Sequence, residues 1–229
     1  MERVAFVGSY DKTDMLLYIA KILTILKKKV IVIDSTVLQK SRYIIPTMQP
    51  LRKYITTFQG VNIAIGFEDF EDIKQYQESN GEKFEYDYAL IDIDSTRGYK
   101  AFQIQPTDKH YFVTSFDLYC LKRGLQVFKI LQTPVEVTKV LYSKDILEEE
   151  NQYLNYLSSG LKVKWKNDII YFPYELGDQT VIFTNQRSAR IRIKGLSTQY
   201  IDCIEFITED ISEIKQGIIR KAIKLLERN

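Results

Sequence analysis

The chain has 229 residues, 45% apolar and 27% charged, with Gly (10) and Pro (5) both scarce; this allows one sizeable core and excludes disordered, collagen-like and loop-dominated folds. Its 32 basic and 30 acidic residues leave a formal charge of +2, so contact with nucleic acid or acidic lipid has to come from a local patch. Two distant cysteines, Cys120 and Cys203, and a single histidine, His110, leave no inventory for a Cys/His zinc site, a disulfide framework or a His-rich cluster.

Met1-Glu2-Arg3 runs straight into Val4-Ala5-Phe6-Val7, which leaves no room for a signal peptide, and the chain contains no run of 18 apolar residues. The expected location is the cytoplasm, free or peripheral to a membrane. Val4–Val7 reads as a buried parallel strand ended by Gly8. From Thr13 to Leu26, Leu16, Ile19, Ala20, Leu23 and Leu26 recur at helical spacing. Lys27-Lys28-Lys29 then supplies charge that complements a helix C-terminus, before the strand Val30–Ile33 closed by Asp34. A strand-turn-helix-strand unit of this kind is a right-handed parallel crossover.

The same grammar returns. Residues 77–86 read as an exposed loop, Ala89–Ile91 ends in Asp92, 111–113 ends in Thr114-Ser115, 135–141 ends in Tyr142-Ser143, and 169–172 ends at Pro173. Segments 117–132 and 145–158 carry helical spacing. The expected architecture is α/β: a single doubly wound, mainly parallel sheet with helices on both faces, one domain over 1–229. In such a sheet the polar strand tips converge on one crevice. His110, just ahead of an apolar run, reads as a structural histidine at a strand edge in preference to a catalytic one.

Gly8-Ser9-Tyr10-Asp11-Lys12-Thr13 stands between the first strand and the helix, where a phosphate loop belongs. Such a loop needs glycines so that its N–H groups can curl round phosphate, a Lys to balance charge, and a hydroxyl for Mg²⁺. Lys12 and Thr13 meet two of those needs, but Asp11 stands where the pattern asks for glycine. A carboxylate a few ångströms from phosphate costs about 1–4 kcal/mol, depending on the local dielectric. The plain alternative makes Asp11 a helix-capping acid and Asp34 and Asp92 strand-end acids that stitch neighbouring turns.

With Asp34 and Asp92 at the ends of two strands, the stretch from Val4 to Asp34 resembles the ParA/MinD family of deviant-Walker P-loop ATPases. Tyr86-Asp87-Tyr88-Ala89-Leu90-Ile91-Asp92 is similar to its Walker B segment, residues 110–131 to the next strand and helix, 170–173 to the strand and proline near the base pocket, and 201–226 to the closing helices. The resemblance implies a P-loop NTPase-like fold and a homodimer meeting across the loops. It also implies ATP or ADP held by Gly8, Ser9, Tyr10, Asp11, Lys12 and Thr13, with Mg²⁺ reached by Thr13, Asp34 and Asp92.

The departures bear on activity. Val7 stands at the place of the family's signature Lys, Thr36 at that of the water-orienting acid, and Ile93-Asp94-Ser95 at that of T-P-P; the base-reading Asn is missing around Tyr142-Ser143. No catalytic residue is assigned. The implied function is that of an organiser or assembly adaptor for a larger machine, similar to the TadZ/CpaE branch, with weak or no hydrolysis. A nucleotide-free pseudo-ATPase scaffold and an active ATPase moving DNA or membrane cargo are the alternatives.

Two basic segments bear on partners. Residues 216–228 alternate an apolar stripe with cations, which suits either an anionic membrane surface or packing on the sheet. Arg187, Arg190, Arg192 and Lys194 form a patch for DNA phosphate, the last three on one face if extended; a solvated face is the plain alternative. Tyr153 and Tyr156 suit either a protein interface or a helix packing inward.

Overall fold

The computed structural model describes residues 1–47, 52–144 and 148–228. In chain order the elements are β1 (Glu2–Val7), α1 (Thr13–Ile25), β2 (Val30–Asp34), α2 (Ser41–Ile44), β3 (Tyr54–Phe58), β4 (Val61–Ile65), α3 (Phe70–Ser79), β5 (Tyr88–Ile93) and α4 (Thr96–Ala101). They continue with β6 (Lys109–Ser115), α5 (Leu118–Gln126), a 3₁₀ turn at Val127–Ile130, β7 (Val135–Ser143), α6 (Glu148–Ser158), β8 (Val163–Pro173), α7 (Leu176–Ser188), α8 (Thr198–Ser212) and α9 (Gln216–Arg228).

Among the described residues the strands form one sheet in the order β3-β4-β2-β5-β1-β6-β7-β8. Every pairing is parallel except β3 with β4. The central strands are apolar on both faces because both faces are covered. One layer of core joins the sheet to α1, α8 and α9 through residues such as Leu16, Ile19, Ile204, Ile207 and Ile223. The other covers the opposite face with Ile73 of α3, Phe102, Leu121 and Leu125 of α5, and Leu154 of α6. The doubly wound arrangement expected from the sequence is the observed one.

Several details differ from the sequence reading. The antiparallel hairpin β3–β4 turns through Gln59 (φ 50°) and Gly60 (φ 84°), a two-residue turn whose left-handed pair suits hairpin twist. Residues 77–79 finish α3, and Gln77 is buried, donating from Nε2 to the Tyr86 hydroxyl (2.8 Å), so the exposed segment begins at Glu78 and the loop after Ser79. The strand expected at 169–172 begins at Val163, with a register shift on β7 between Val137 and Lys139. Helix α6 covers 148–158; residues 145–147 of the helix expected there lie outside the described residues.

Because β1, β2, β5, β6, β7 and β8 run in parallel, the segments that come after them meet at one end of the sheet. His110 lies at the other end. Its Nδ1 donates to the Asp108 carbonyl (2.7 Å) and its Nε2 accepts from the Tyr99 hydroxyl (2.8 Å), while burial lowers its pKa. That is the structural histidine expected. Both cysteines are free and buried.

Candidate functional site

Gly8 leaves β1 with φ +146°, and a Cβ there would lie 2.0 Å from the Val113 carbonyl oxygen of β6. Only glycine lets the loop start this close to the neighbouring strand. Its N–H donates to the Ile93 carbonyl (2.9 Å), which ties the loop to β5.

Lys12 points back into the loop. Its Nζ donates to the Gly8 carbonyl (2.7 Å) and forms an ion pair with Asp92 Oδ1 (2.6 Å), the two side chains being 1% and 6% exposed. Burial pushes the Asp92 carboxyl up to about 7; Lys12 opposes that rise, and the carboxylates of Asp34 and Asp94 add to it. Desolvation outweighs the partner cation here, as it does for many buried pairs.

Asp11 occupies the position of an anion at the helix start. Its Oδ1 accepts from the Thr13 amide (3.1 Å) and the Thr13 hydroxyl (2.9 Å), and its Oδ2 pairs with Lys40 from the loop after β2. The amide at a helix N-terminus, a hydroxyl and a lysine are the donors that a phosphate would seek. Here a side chain of the same chain takes them. The capping role expected as the plain alternative is not what is seen: the N-cap of α1 is Lys12, without a side-chain cap bond, and Asp11 one residue earlier makes an Asx turn onto Thr13.

The strand-end acids are likewise engaged. Asp34 stands opposite Asp92 in the β2–β5 register. Its Oδ1 accepts from Thr36 N (3.1 Å) and Thr36 Oγ1 (2.6 Å), and its Oδ2 from Ser41 N (3.0 Å), which fixes the turn into α2. Thr36 serves that turn, also accepting from Gln39 N (3.0 Å). Asp94 takes the Val37 amide on both oxygens (3.0 and 3.1 Å) and so joins the loops after β2 and β5. The structure thus brings Gly8, Lys12, Thr13, Asp34 and Asp92 to one place. Among the described residues no three His, Cys, Asp or Glu side chains form a cluster that could hold a metal ion.

Ser9 and Tyr10 face elsewhere in the loop. Ser9 Oγ donates to the Cys120 carbonyl (3.2 Å). The Tyr10 ring lies on Tyr142 (centroids 4.4 Å apart), which stacks in turn on Phe172 (4.9 Å). Beside this stack opens a cavity of about 290 Å³ between the loop, α1, Pro173 and α7. Sequence reasoning missed Lys40, six residues after Asp34 in no recognisable motif, and Asp14 and Tyr174 at the cavity.

The basic segments resolve differently. The apolar stripe of α9 faces α8 and α1, burying Ile219, Ala222, Ile223 and Leu226, and Arg220 pairs with Glu205 of α8 (2.9 Å). The face that a membrane would need is engaged in the fold. Arg187 lies in the last turn of α7; beyond it Ile191 and Ile193 are buried, Arg190 and Lys194 are exposed, and Arg192 between them is half-buried. On α6, Leu154 packs inward while Tyr153 (40% exposed) and Tyr156 (73%) face solvent. Among the described residues no helix is long and apolar enough to cross a membrane.

No protein-family model matches the chain, and no curated protein matches it in sequence. Solved structures do match. The MinD cell division protein of Aquifex aeolicus aligns with TM-score 0.57 at 14% identity, over 94% of this chain and 98% of that one. The MinC:MinD complex of the same organism gives 0.52 at 18%, covering 98% and 96%. A putative plasmid partition protein of Borrelia burgdorferi bound to AMPPNP gives 0.56 at 11%, covering 93% and 99%. The chain has the fold of the ParA/MinD ATPases.

Proposed function

We propose that this chain, on a ParA/MinD-type fold, is a spatial organiser or assembly adaptor for a larger cellular machine of the secretion, pilus, conjugation or partition type. Its nucleotide site is closed by its own side chains, so ATP hydrolysis is weak or absent. One observation carries the second statement: both charged side chains of the loop are satisfied internally, Lys12 by Gly8 and Asp92, and Asp11 by Thr13 and Lys40.

For a triphosphate to enter, Lys12 has to leave a buried carboxylate and Asp11 has to swing off the helix start. Separating one partner from a buried pair costs about 3–5 kcal/mol. With Val7 buried where the signature Lys would stand and Thr36 tied to Asp34, the groups that would drive hydrolysis across a dimer are lacking. If ATP or ADP with Mg²⁺ does enter, Gly8 to Thr13 would contact phosphate, and Thr13, Asp34 and Asp92 would reach the cation only after leaving their present partners.

The positioning role rests on the shared fold: the neighbours are described as a cell division protein and a plasmid partition protein, the former also in complex with a protein partner. A homodimer and a protein partner are part of the proposal, and the basic row Arg190, Arg192 and Lys194 offers a DNA contact.

The test pairs calorimetric titration of ATP and ADP, with and without Mg²⁺, with a fluorescent fusion imaged in the source organism. The expected result is no binding tighter than about millimolar, no Mg²⁺-dependent turnover, and discrete foci or poles that persist in Lys12→Ala. Sustained turnover abolished by Lys12→Ala would overturn the closed site. Uniform fluorescence would overturn the organiser role.

A further inference from the structure

The cavity beside Tyr10 has a chemistry of its own. Its walls are aromatic, with Tyr10, Tyr142, Tyr174, Tyr200 and Phe183 contributing to the lining. Its volume, about 290 Å³, sits at the lower end for small-molecule pockets and accommodates a group the size of an arginine side chain. Set into this wall is the Asp14 carboxylate from the first turn of α1, which accepts one neutral hydrogen bond, from Gln186 Nε2 (2.7 Å).

Among the described residues Asp14 has no cationic partner. The one cation lining the cavity, Lys40, is paired with Asp11, and the neighbouring acid Asp178 is engaged with the Ser197 amide (2.6 Å) and hydroxyl (2.8 Å). Desolvation lifts the Asp14 carboxyl to about 6, and Asp14 lies close enough to the Tyr18, Tyr142 and Tyr200 phenols to raise them in turn. A half-buried anion lacking a counter-ion, in a cavity walled largely by aromatic rings, is complementary to an organic cation and repels the phosphates of a nucleotide.

We infer that the cavity between the loop, α1 and α7 is a binding site for a guanidinium or alkylammonium group, held by Asp14 and enclosed by Tyr10, Tyr142 and Tyr174. The cation arrives either as a free small molecule or as the side chain of a bound polypeptide. The cavity takes in Tyr10, Tyr142 and Pro173, where the family resemblance puts the base of a nucleotide, so the inference rests on the reading of that site as closed to nucleotide; the residues varied below, Asp14 and Tyr174, are not the ones that pair with Lys12.

The test is NMR or calorimetric titration with three probes: agmatine, N-acetyl-arginine amide, and N-acetyl-citrulline amide, the uncharged isostere of the second. Both guanidinium probes should bind and the citrulline probe should not. Asp14→Asn keeps the acceptor for Gln186 and removes the charge, so it should weaken binding about ten- to hundredfold. Tyr174→Ala, at a half-exposed side chain on the rim, should weaken it without altering the fold. Tighter binding of agmatine points to a free cation and tighter binding of the capped arginine to a protein side chain. Equal binding of the citrulline probe, indifference to Asp14→Asn in folded protein, or no binding of either cation would overturn the assignment.

Discussion

If Asp11 holds the phosphate site shut, replacing it should open the site, and the size of the effect is set by where its oxygens lie. A phosphate seated on the Thr13 amide would approach within roughly 4 Å of the Asp11 carboxylate, where two like charges cost about 1 kcal/mol in water and about 4 kcal/mol at an effective dielectric near 20. Asp11→Gly removes this repulsion and frees Lys40 for phosphate, so ADP and ATP affinity should rise by about five- to a thousandfold. The same change removes the Asp11 bonds to the Thr13 amide and hydroxyl at the start of α1 and should cost about 0.5–1.5 kcal/mol of stability. Asp11→Asn separates the two effects: it retains an oxygen for the Thr13 donors and loses the charge, so it should recover much of the affinity at little cost in Tm. Calorimetry with ADP and ATP at fixed ionic strength, alongside urea unfolding, reads both quantities. Unchanged nucleotide affinity in a folded Asp11→Gly protein would refute the argument that this carboxylate closes the loop.

Lys12→Ala leaves Asp92 buried without its cation and should cost about 3–5 kcal/mol at pH 8. The Asp92 carboxyl already sits near 7, above its unfolded value, and losing Lys12 raises it further, so protonation relieves the penalty as pH falls. The loss measured by denaturant at pH 5.5 should accordingly be smaller, and equal losses at both pH values would contradict the pairing. Lys139, buried with Nζ donating to Asn151 Oδ1 (2.5 Å) and Asn155 Oδ1 (2.6 Å) over the Trp165 ring, is pushed down to about 8 by desolvation. The folded state therefore releases this proton before the unfolded state does, and stability should gain from it between about pH 8 and pH 10.5; the increment should vanish in Lys139→Met when pH-stability curves are compared. Truncation before Gln216 should expose the contacts of Ile219, Ile223 and Leu226 and lower Tm by many degrees, whereas a detachable tail would leave Tm unchanged.

Much of the architecture was legible because its signals are local. Val4–Val7, Val30–Ile33 and Ala89–Ile91 are apolar throughout, as strands covered on both faces must be, and they stop at Gly8, Asp34 and Asp92, which mark the crevice. The stripe of α1 and the amphipathic α9 were readable from helical period. The hairpin β3–β4 was hidden because its turn, Gln59-Gly60, carries only half of the usual signature, and α7 because its apolar residues spread around the helix. At the loop, the positions of Gly8, Lys12, Thr13, Asp34 and Asp92 came from order along the chain, but their partners did not.

The sequence by itself determined which residues arrive at the carboxyl end of the sheet, because strand and helix periods fix topology, and topology fixes which segment leaves the tip of each strand. Only the tertiary structure decided what those residues do there. Lys12 pairs with Asp92 across 80 positions, Asp11 with Lys40 from a separate loop, and Asp14 faces rings contributed by β7, α8 and the segment after β8. Whether a charge binds a ligand or a neighbour depends on distances of a few ångströms and on the water excluded around them, and neither quantity has a local signature in the chain.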